Sequence, residues 1–227
     1  MLSDAIITSK NTGKIPIIAE IKLKTPRDGD LLKGRRPVEL AREMESAGAT
    51  ALSIVTESSY FGGDNQILRD VSKSVKIPIL RKDFIRTEDQ IYDSKSSGAS
   101  ALLLISSIMS LDVISRLCSL TRNIGLESLF EVHSVKEMRE ILNLNPRMIS
   151  INNRNILQLE MDSGDVSTTE KLAKLVPKQV LLISASSIKT RDGVLRALSA
   201  GADAVLIGTT LMKAPSIRKK MQELMDI

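Results

Sequence analysis

The stretch that decides the fold runs from residue 17 to residue 26 and reads IIAEIKLKTP. Its first residues are apolar and follow Pro16, a pattern typical of a buried β-strand. Glu20 and Lys22 then stand two positions apart, so both side chains project from the same face of that strand. A buried carboxylate and a buried ammonium are costly unless they are paired or used. The stretch therefore predicts either an ion pair or the beginning of a functional site.

A basic loop follows this strand over about residues 23–36. Loops of this length without regular structure are usually either functional or disordered. A cationic loop at the end of a strand indicates an anionic ligand, although a solvated surface loop beside an ion pair fits the same residues. The basic residues of the loop are Lys24, Arg27, Lys33, Arg35 and Arg36.

Working outward, short apolar runs alternate with helical patterns along the rest of the chain. The predicted strands span residues 17–22, 51–55, 77–80, 101–105, 126–132, 147–151, 180–184 and 204–207. Helical patterns separate them, and residues 1–16 are expected to form a loose arm or a single helical turn. An internal repeat supports this alternation: GATALSIV, GASALLLI and GADAVLIG begin at residues 48, 98 and 201.

Continuous apolar strands joined by helices indicate a parallel sheet covered on both faces, the α/β class. Eight such units predict a single-domain (β/α)8 TIM barrel over residues 1–227, with a short N-terminal extension. An open doubly wound sheet is disfavoured, because no G-x-G-x-x-G motif follows any predicted strand.

Composition narrows the function classes. Aromatic residues make up only 2% of the chain, which argues against nucleic-acid binding by base stacking. The net charge of +5 is modest and compatible with an anionic metabolite. One cysteine, Cys118, excludes an internal disulfide and fits a reducing cytoplasm, and the single histidine makes a zinc cluster unexpected. We expect a cytoplasmic monomer or weak homo-oligomer that binds neither membrane nor nucleic acid and needs no cofactor.

Active sites of (β/α)8 barrels lie at the C-terminal ends of the strands. Polar and charged residues collect there in this chain, whereas the middle of each strand is apolar. Two lysines and two glutamates around one mouth would permit general acid–base chemistry, although Lys82 and Glu131 could also form a structural salt bridge. The strand-end residues are Glu20, Lys22, Thr56, Glu57, Phe61, Lys82, Phe84, Glu131, Asn152, Arg154, Ser184, Ser186, Ser187, Gly208 and Thr209.

The seventh and eighth strands end in small residues that lead into helices. Backbone N–H groups at Ser187, Gly208 and Thr209 could hold a phosphate there, although ordinary helix capping explains the same residue types. His133 follows Glu131, and its position favours the rim of the barrel over the reacting centre.

Six motifs occur at these strand ends: AEIKLKTP, TESSYFGGD, LRKDFI, LFEVHS, ISINNRNI and ADAVLIGTTLM. In sequence and order they resemble the indole-3-glycerol phosphate synthase family, over about residues 15–213. The resemblance implies ring closure of 1-(2-carboxyphenylamino)-1-deoxyribulose 5-phosphate in tryptophan biosynthesis, with loss of carbon dioxide and water and without a cofactor.

The resemblance also implies roles for individual residues. Lys82 would protonate the ketone, Glu131 would act as acid or base in the dehydration, and Lys22 would hold the substrate electrostatically. Glu20 and Asn152 would orient the lysines and the substrate hydroxyls. The implied binding residues are Arg154 and Thr25 for the aryl carboxylate, Phe61 and Phe84 for the ring, and Ser186, Ser187, Gly208 and Thr209 for the phosphate.

The chain departs from the family pattern in three places: the seventh strand and the short N-terminus bear on efficiency and closure over the substrate, and the change at Thr25 is conservative. The seventh strand usually ends in E-S-G-I, whereas this chain has Ala185, Ser186 and Ser187 there. Ser187 can donate its N–H like the usual glycine if its backbone avoids positive φ. Thr25 replaces a serine, and only about 16 residues precede the first strand, where the family often carries a helix over the mouth.

Alternatives remain at this point. A phosphoribosylanthranilate isomerase would be expected to use a cysteine–aspartate pair at strand ends, yet Cys118 falls in a predicted helix. A barrel that binds the ligand without turning it over is favoured only by the changes in the seventh strand and the short N-terminus. A nucleic-acid-binding role has the least support.

Overall fold

The structure is a computed structural model that describes residues 1–159 and 164–225. The irregular segment predicted before residue 168 includes residues 160–163, which lie outside the described residues. The described strands are β1 (Ile17–Ile21), β2 (Lys24–Thr25), β3 (Gly29–Asp30), β4 (Ala51–Val55), β5 (Ile79–Lys82), β6 (Ala101–Ile105), β7 (Glu127–Val132), β8 (Met148–Asn152), β9 (Leu181–Ala185) and β10 (Ala204–Ile207).

Helices separate the strands along most of the chain. The α-helices are α1 (Leu2–Asn11), α2 (Pro37–Ser46), α3 (Asn65–Ser72), α4 (Glu88–Ser96), α5 (Leu111–Asn123), α6 (Val135–Leu142), α7 (Ser167–Leu172), α8 (Arg191–Ser199), α9 (Thr209–Lys213) and α10 (Ile217–Met225). Short 3₁₀ helices cover Ser106–Ile108, Ile156–Gln158 and Ala173–Leu175.

Eight strands form a closed parallel barrel. The order around the barrel is β1, β10, β9, β8, β7, β6, β5 and β4, and β4 pairs with β1 to complete it. Ile18 of β1, for example, lies opposite Leu206 of β10 on one side and Ala51 of β4 on the other. The predicted (β/α)8 architecture is therefore confirmed.

Alternation along the strands divides the apolar residues into two cores. One core packs inside the barrel and includes Ile18, Leu80, Leu103 and Leu129. The other lies between the barrel and its helices and includes Phe130, the neighbour of Leu129. Successive residues of a strand point to opposite faces, so the same period places Glu20, Lys22 and other strand-end groups toward the interior.

The N-terminal helix closes the lower end of the barrel, at the start of the strands. Leu2 and Ile6 of α1 are fully buried in the interior core. The Ser3 hydroxyl donates a hydrogen bond to Glu127 at the start of β7, and Lys10 forms an ion pair with Asp203 just before β10. The expected loose arm is thus a ten-residue helix, and it covers the end opposite the mouth.

Two local differences from the sequence expectation have simple causes. The third strand begins at Ile79, two residues later than predicted, because Pro78 has no N–H to donate to a ladder. The expected basic loop contains a small antiparallel hairpin, in which Lys24 pairs with Asp30 and Thr25 with Gly29. Gly29 has φ 66°, a conformation that glycine adopts at little cost.

Within residues 1–159 and 164–225, none of the helices is long and apolar enough to cross a membrane.

Candidate active site

The mouth of the barrel is organised around the buried carboxylate of Glu20. Its Oε1 lies 3.3 Å from Nζ of Lys22, and its Oε2 lies 3.2 Å from Nζ of Lys82. The Ser53 hydroxyl donates to Oε2 at 3.2 Å. Glu20 is 1% exposed and Lys22 4% exposed, so this ion-pair network is shielded from water. One carboxylate therefore fixes two ammonium groups from different strands, which the sequence could place only on separate strand ends.

Gly208 is required by this arrangement. A Cβ atom at residue 208 would lie 2.5 Å from Oε1 of Glu20, well inside contact distance. The φ of Gly208 is −115°, so the need for glycine is steric and does not come from the backbone conformation. The glycine at the end of β10 thus makes room for the carboxylate that holds Lys22 and Lys82.

An apolar pocket lies beside the two lysines. Nζ of Lys22 lies 5.8 Å from the centre of the Phe61 ring, within the range of a cation–π contact. The pocket joins the ends of β4, β5, β6 and β7, and it brings Phe61 and Phe84 together with Lys82 and Glu131 as predicted. Its remaining lining includes Val55, Leu103, Ile105 and Ile156.

The loop that carries Phe61 is held by Glu57. The Glu57 carboxylate accepts hydrogen bonds from the backbone N–H groups of Ser59, Tyr60 and Phe61, at 2.8, 2.9 and 3.0 Å. Glu57 is one of the polar residues at the strand ends. Its carboxylate fixes the loop that forms the pocket wall.

Arg81 anchors the end of β5 from the outer side of the barrel. Its guanidinium, on a side chain only 3% exposed, donates to Thr56 at 3.0 Å and to Asp83 at 2.9 Å. It also reaches the Gln90 carbonyl and the Ser94 hydroxyl of α4. Since Lys82 is the next residue along the strand, these bonds set the position from which Lys82 enters the site.

A larger cavity of about 240 Å³ opens on the side of β9 and β10. The lining carries more positive than negative charge: its cations are Lys22, Arg27, Arg154, Lys189 and Lys213, and its anions are Glu20 and Asp28. The predicted phosphate residues Ser186, Ser187, Gly208 and Thr209 also line it. The structure thus brings the predicted cationic groups and the predicted phosphate groups into one cavity.

Asn152 and Arg154 are linked to each other and to β9. The Asn152 Oδ1 accepts a hydrogen bond from the Arg154 backbone N–H at 3.0 Å. Nε of Arg154 donates to the Ser187 hydroxyl at 3.2 Å. Arg154 therefore lies across the cavity between β8 and β9, where an anionic group could meet its guanidinium.

Sequence reasoning missed Asn153, which joins the ends of β8 and β9. The Nδ2 amide of Asn153 donates to Ser184 Oγ at 3.0 Å and to the Ala185 carbonyl at 2.9 Å. Its Oδ1 accepts from both the N–H and the hydroxyl of Thr169 at 3.0 Å. The only sequence signal was a second asparagine beside Asn152 at a strand end.

Thr25 stands apart from the other predicted residues. Its hydroxyl accepts a hydrogen bond from the Asp28 backbone N–H at 2.8 Å and lies 3.3 Å from the Asp28 carboxylate. Asp28 in turn pairs with Lys213 at 2.5 Å. Burial of Asp28 opposes its ionisation, but the contacts with Lys213 and Thr25 outweigh that effect and lower the pKa of Asp28. Thr25 thus belongs to the hairpin turn and lines neither cavity.

Comparisons with known proteins agree with this geometry. The family model described as indole-3-glycerol phosphate synthase matches residues 2–224. The chain belongs to the indole-3-glycerol phosphate synthase family. A relative of that name from Pyrococcus furiosus is 43% identical over 99% of this chain and 96% of its own. One from Thermococcus kodakarensis is 42% identical over 94% and 93%, and one from Shouchella clausii is 41% identical over 95% and 84%.

A solved structure of thiamine phosphate pyrophosphorylase from Pyrococcus furiosus has the same fold. It superposes with a TM-score of 0.68, covering 99% of this chain and 96% of its own, at 15% sequence identity. At that identity the likeness concerns the barrel alone.

The departure from the usual family sequence at β9 has a structural consequence. Ser186 and Ser187 have φ values of 65° and 61°, so both lie in the left-handed region. The condition stated for Ser187, a backbone that avoids positive φ, is not met: the backbone has a conformation that glycine would adopt freely. Ala185 is 1% exposed and packs in the interior core.

Cys118 lies on α5 at the outside of the barrel, which agrees with its predicted helical position and places it away from the strand ends. Among the residues that the structure describes, no group of three or more His, Cys, Asp or Glu side chains is arranged to hold a metal ion.

Proposed function

We propose that this chain closes the indole ring of its substrate with Lys82 as the general acid and Glu131 as the partner in dehydration. The substrate would be 1-(2-carboxyphenylamino)-1-deoxyribulose 5-phosphate, and the products indole-3-glycerol phosphate, carbon dioxide and water. The observation that carries the proposal is the apolar pocket that Lys82 and Glu131 share. The Lys82 ammonium is fixed there by its ion pair with Glu20.

The ring closure and the dehydration each need one of the groups around this pocket. As the aryl carbon attacks the ketone, the ketone oxygen gains negative charge, and the Lys82 ammonium supplies a proton to it. Loss of carbon dioxide restores the aromatic ring. Loss of the new hydroxyl as water then needs one proton delivered to that hydroxyl and one removed from the neighbouring carbon, and we assign Glu131 to this proton transfer as acid or base. The substrate ring would lie against Phe61 and Phe84.

Charge complementarity supports the binding roles. The aryl carboxylate suits the planar guanidinium of Arg154, which can form two parallel hydrogen bonds with it. We assign the substrate phosphate to the 240 Å³ cavity, near Lys22 and the backbone of Ser186, Ser187, Gly208 and Thr209. Glu20 and Asn152 would keep the lysines and the substrate hydroxyls in position. For Thr25 to bind the aryl carboxylate of the substrate, its hydroxyl would have to give up its hydrogen bond with the Asp28 backbone N–H.

The deciding experiment is a fluorescence assay for indole-3-glycerol phosphate with wild type and Lys82→Ala. We expect the substitution to lower kcat by about 10²–10⁴-fold, the usual contribution of a general acid. Stability should change little, because Glu20 keeps its contacts with Lys22 and Ser53. Lys14→Ala, an exposed lysine before β1, is the matched control. A kcat near the wild-type value would remove Lys82 from the acid role.

A second test concerns Arg154. Arg154→Ala should weaken substrate binding by roughly 10–100-fold, which corresponds to loss of a hydrogen bond to a charged group. A substrate analogue without the ortho carboxylate should bind wild type and variant equally. Equal affinity of both proteins for the carboxylated substrate would overturn the assignment.

A folded wild type that binds the substrate without converting it would favour the non-catalytic barrel. Positive φ at Ser187 and the alanine at residue 185 would then be the first places to examine. The cytoplasmic location and the monomeric or weakly oligomeric state stay predictions, and sedimentation velocity on the purified chain tests the latter.

A further inference from the structure

The backbone that carries Lys82 and Phe84 is held by two neighbouring parts of the barrel. The Thr56 backbone N–H, just after β4, donates a hydrogen bond to the Lys82 carbonyl at 3.0 Å. Nε2 of Gln90, on α4, donates to the Phe84 carbonyl at 3.3 Å. Lys82 and Phe84 both line the apolar pocket, so these bonds fix two sides of the pocket from outside it.

The carboxylate of Asp83, the residue between them, joins the two attachments. Its Oδ2 accepts a hydrogen bond from the Thr56 hydroxyl at 2.7 Å, and its Oδ1 accepts one from the Phe84 backbone N–H at 2.8 Å. The Asp83 side chain is 11% exposed, and Asp83 also lines the apolar pocket. One carboxylate therefore connects the end of β4 with the backbone of the pocket wall.

Arg81 holds the Asp83 carboxylate in this position. Its Nη2 lies 2.9 Å from Oδ2 of Asp83, and its Nε donates to the Thr56 hydroxyl at 3.0 Å. Thr56, Arg81 and Asp83 thus form a closed set of contacts in which each residue bonds the other two. Buried polar groups that satisfy one another rigidify the residues that carry them. The backbone on both sides of Lys82 is therefore fixed by side-chain contacts.

We propose that Asp83 is a positioning residue: its carboxylate fixes Lys82 and Phe84 relative to each other. The inference rests on the proposed function and deepens it, because it adds a residue that sequence reasoning left out of the site. Glu20 fixes the ammonium end of Lys82, and Asp83 fixes the backbone end. A general acid works only within hydrogen-bond reach of the oxygen it protonates, and a displacement of about 1 Å costs on the order of 10²-fold in rate.

The first test is a double-mutant cycle on kcat with Lys82→Ala. Asp83→Ala should lower kcat roughly 10–100-fold in the wild-type background, because Lys82 loses part of its placement. In the Lys82→Ala background it should change kcat little, since no ammonium is left to misplace. Asp89→Ala, at an exposed position in the first turn of α4, is the matched control and should leave kcat unchanged in both backgrounds. Equal fold-losses from Asp83→Ala in both backgrounds would overturn the proposal.

The second test keeps the ion pair between Arg81 and Asp83 and decides the question if Asp83→Ala does not fold. Thr56→Val removes the hydroxyl that donates to Asp83, whereas Thr56→Ser keeps it. Thr56→Val should lower kcat by roughly tenfold, as expected for loss of one hydrogen bond to a charged group, and Thr56→Ser should stay near wild type. The two variants should not differ in the Lys82→Ala background. The same kcat for Thr56→Val and Thr56→Ser with Lys82 present would contradict the proposal.

Binding of the product tests the placement of Phe84 and needs no turnover. Indole-3-glycerol phosphate should bind Asp83→Ala roughly tenfold more weakly than it binds wild type or Asp89→Ala, because the Phe84 backbone N–H loses its acceptor. An unchanged dissociation constant would show that Asp83 does not place Phe84. A wild type without turnover, or a Lys82→Ala variant with wild-type kcat, would count against the proposed function instead, and the binding comparison would still decide the role of Asp83 at Phe84.

Discussion

Strand β7 carries a buried glutamate at each end, and the two are used differently. Glu127, at the lower end, accepts hydrogen bonds from the Ser3 backbone N–H at 3.0 Å and from the Ser3 hydroxyl, and lies 3.8 Å from Arg147. Glu131, at the mouth, faces the apolar pocket that also holds Lys82. A carboxylate whose oxygens are engaged by a helix cap serves stability, whereas one turned toward a cavity beside a lysine can serve chemistry.

The largest expected effects come from neutralising each glutamate in turn. Glu131→Gln should lower kcat by about 10²–10⁴-fold while the free energy of unfolding stays within about 1 kcal/mol of wild type. Glu127→Gln should leave kcat unchanged and lower the free energy of unfolding by about 1–3 kcal/mol, because the bonds from Ser3 lose a charged acceptor. Steady-state kinetics and urea unfolding on the same samples measure both quantities.

The two variants control for each other, since they make the same substitution on the same strand. A Glu127→Gln protein with strongly reduced kcat would show that the lower end is coupled to the mouth. A Glu131→Gln protein that loses several kcal/mol of stability would show that Glu131 is chiefly structural.

The next effect concerns the helix that closes the lower end. Ile6→Ala should lower the free energy of unfolding by about 3 kcal/mol, because the side chain is fully buried in the interior core and its removal leaves a cavity. Its neighbour Ile7 is 39% exposed, so Ile7→Ala should cost less than about 1 kcal/mol. Neither substitution should change kcat. If Ile6→Ala unfolded as wild type does, α1 would contribute nothing to the closure of the barrel.

The barrel could be predicted from the sequence because the pattern that marks each strand lies within a few consecutive residues. Each strand is a continuous apolar run, each run ends in polar residues, and the fold places those ends together. Glu20, Lys22, Lys82 and Glu131 could therefore be named as one site before any coordinates. The deviations at strand boundaries are at most two residues, and the late start of β5 follows from Pro78.

What the sequence could not reveal depends on partners far away along the chain. Helix α1 has little amphipathic pattern of its own, and its place is set by Glu127, 124 residues from Ser3. The role of Asn153 depends on β9 and α7, about thirty and sixteen residues later. Likewise, Thr25 fits a carboxylate-binding role until its bond with Asp28 is seen. Nonlocal hydrogen bonds of this kind leave no period in the sequence.

The smallest expected effect tests the backbone strain at the phosphate side of the mouth. Ser187 has φ 61°, which costs a residue with a Cβ on the order of 1 kcal/mol more than glycine. Ser187→Gly and Ser187→Ala both remove the hydroxyl that accepts the hydrogen bond from Arg154. Only the glycine variant also relieves the strain. We therefore expect Ser187→Gly to exceed Ser187→Ala in free energy of unfolding by about 1 kcal/mol.

The same pair of variants also tests the proposed phosphate contact. Glycine keeps the backbone N–H and removes the Cβ that the family's usual glycine lacks, so Ser187→Gly should bind the phosphorylated substrate at least as tightly as Ser187→Ala. Equal unfolding free energies would mean that the surrounding residues, Asn153 among them, hold this turn without strain. A weaker substrate affinity in Ser187→Gly than in Ser187→Ala would indicate that a Cβ at residue 187 helps to shape the cavity. The serine that departs from the family pattern would then contribute to substrate binding in this chain.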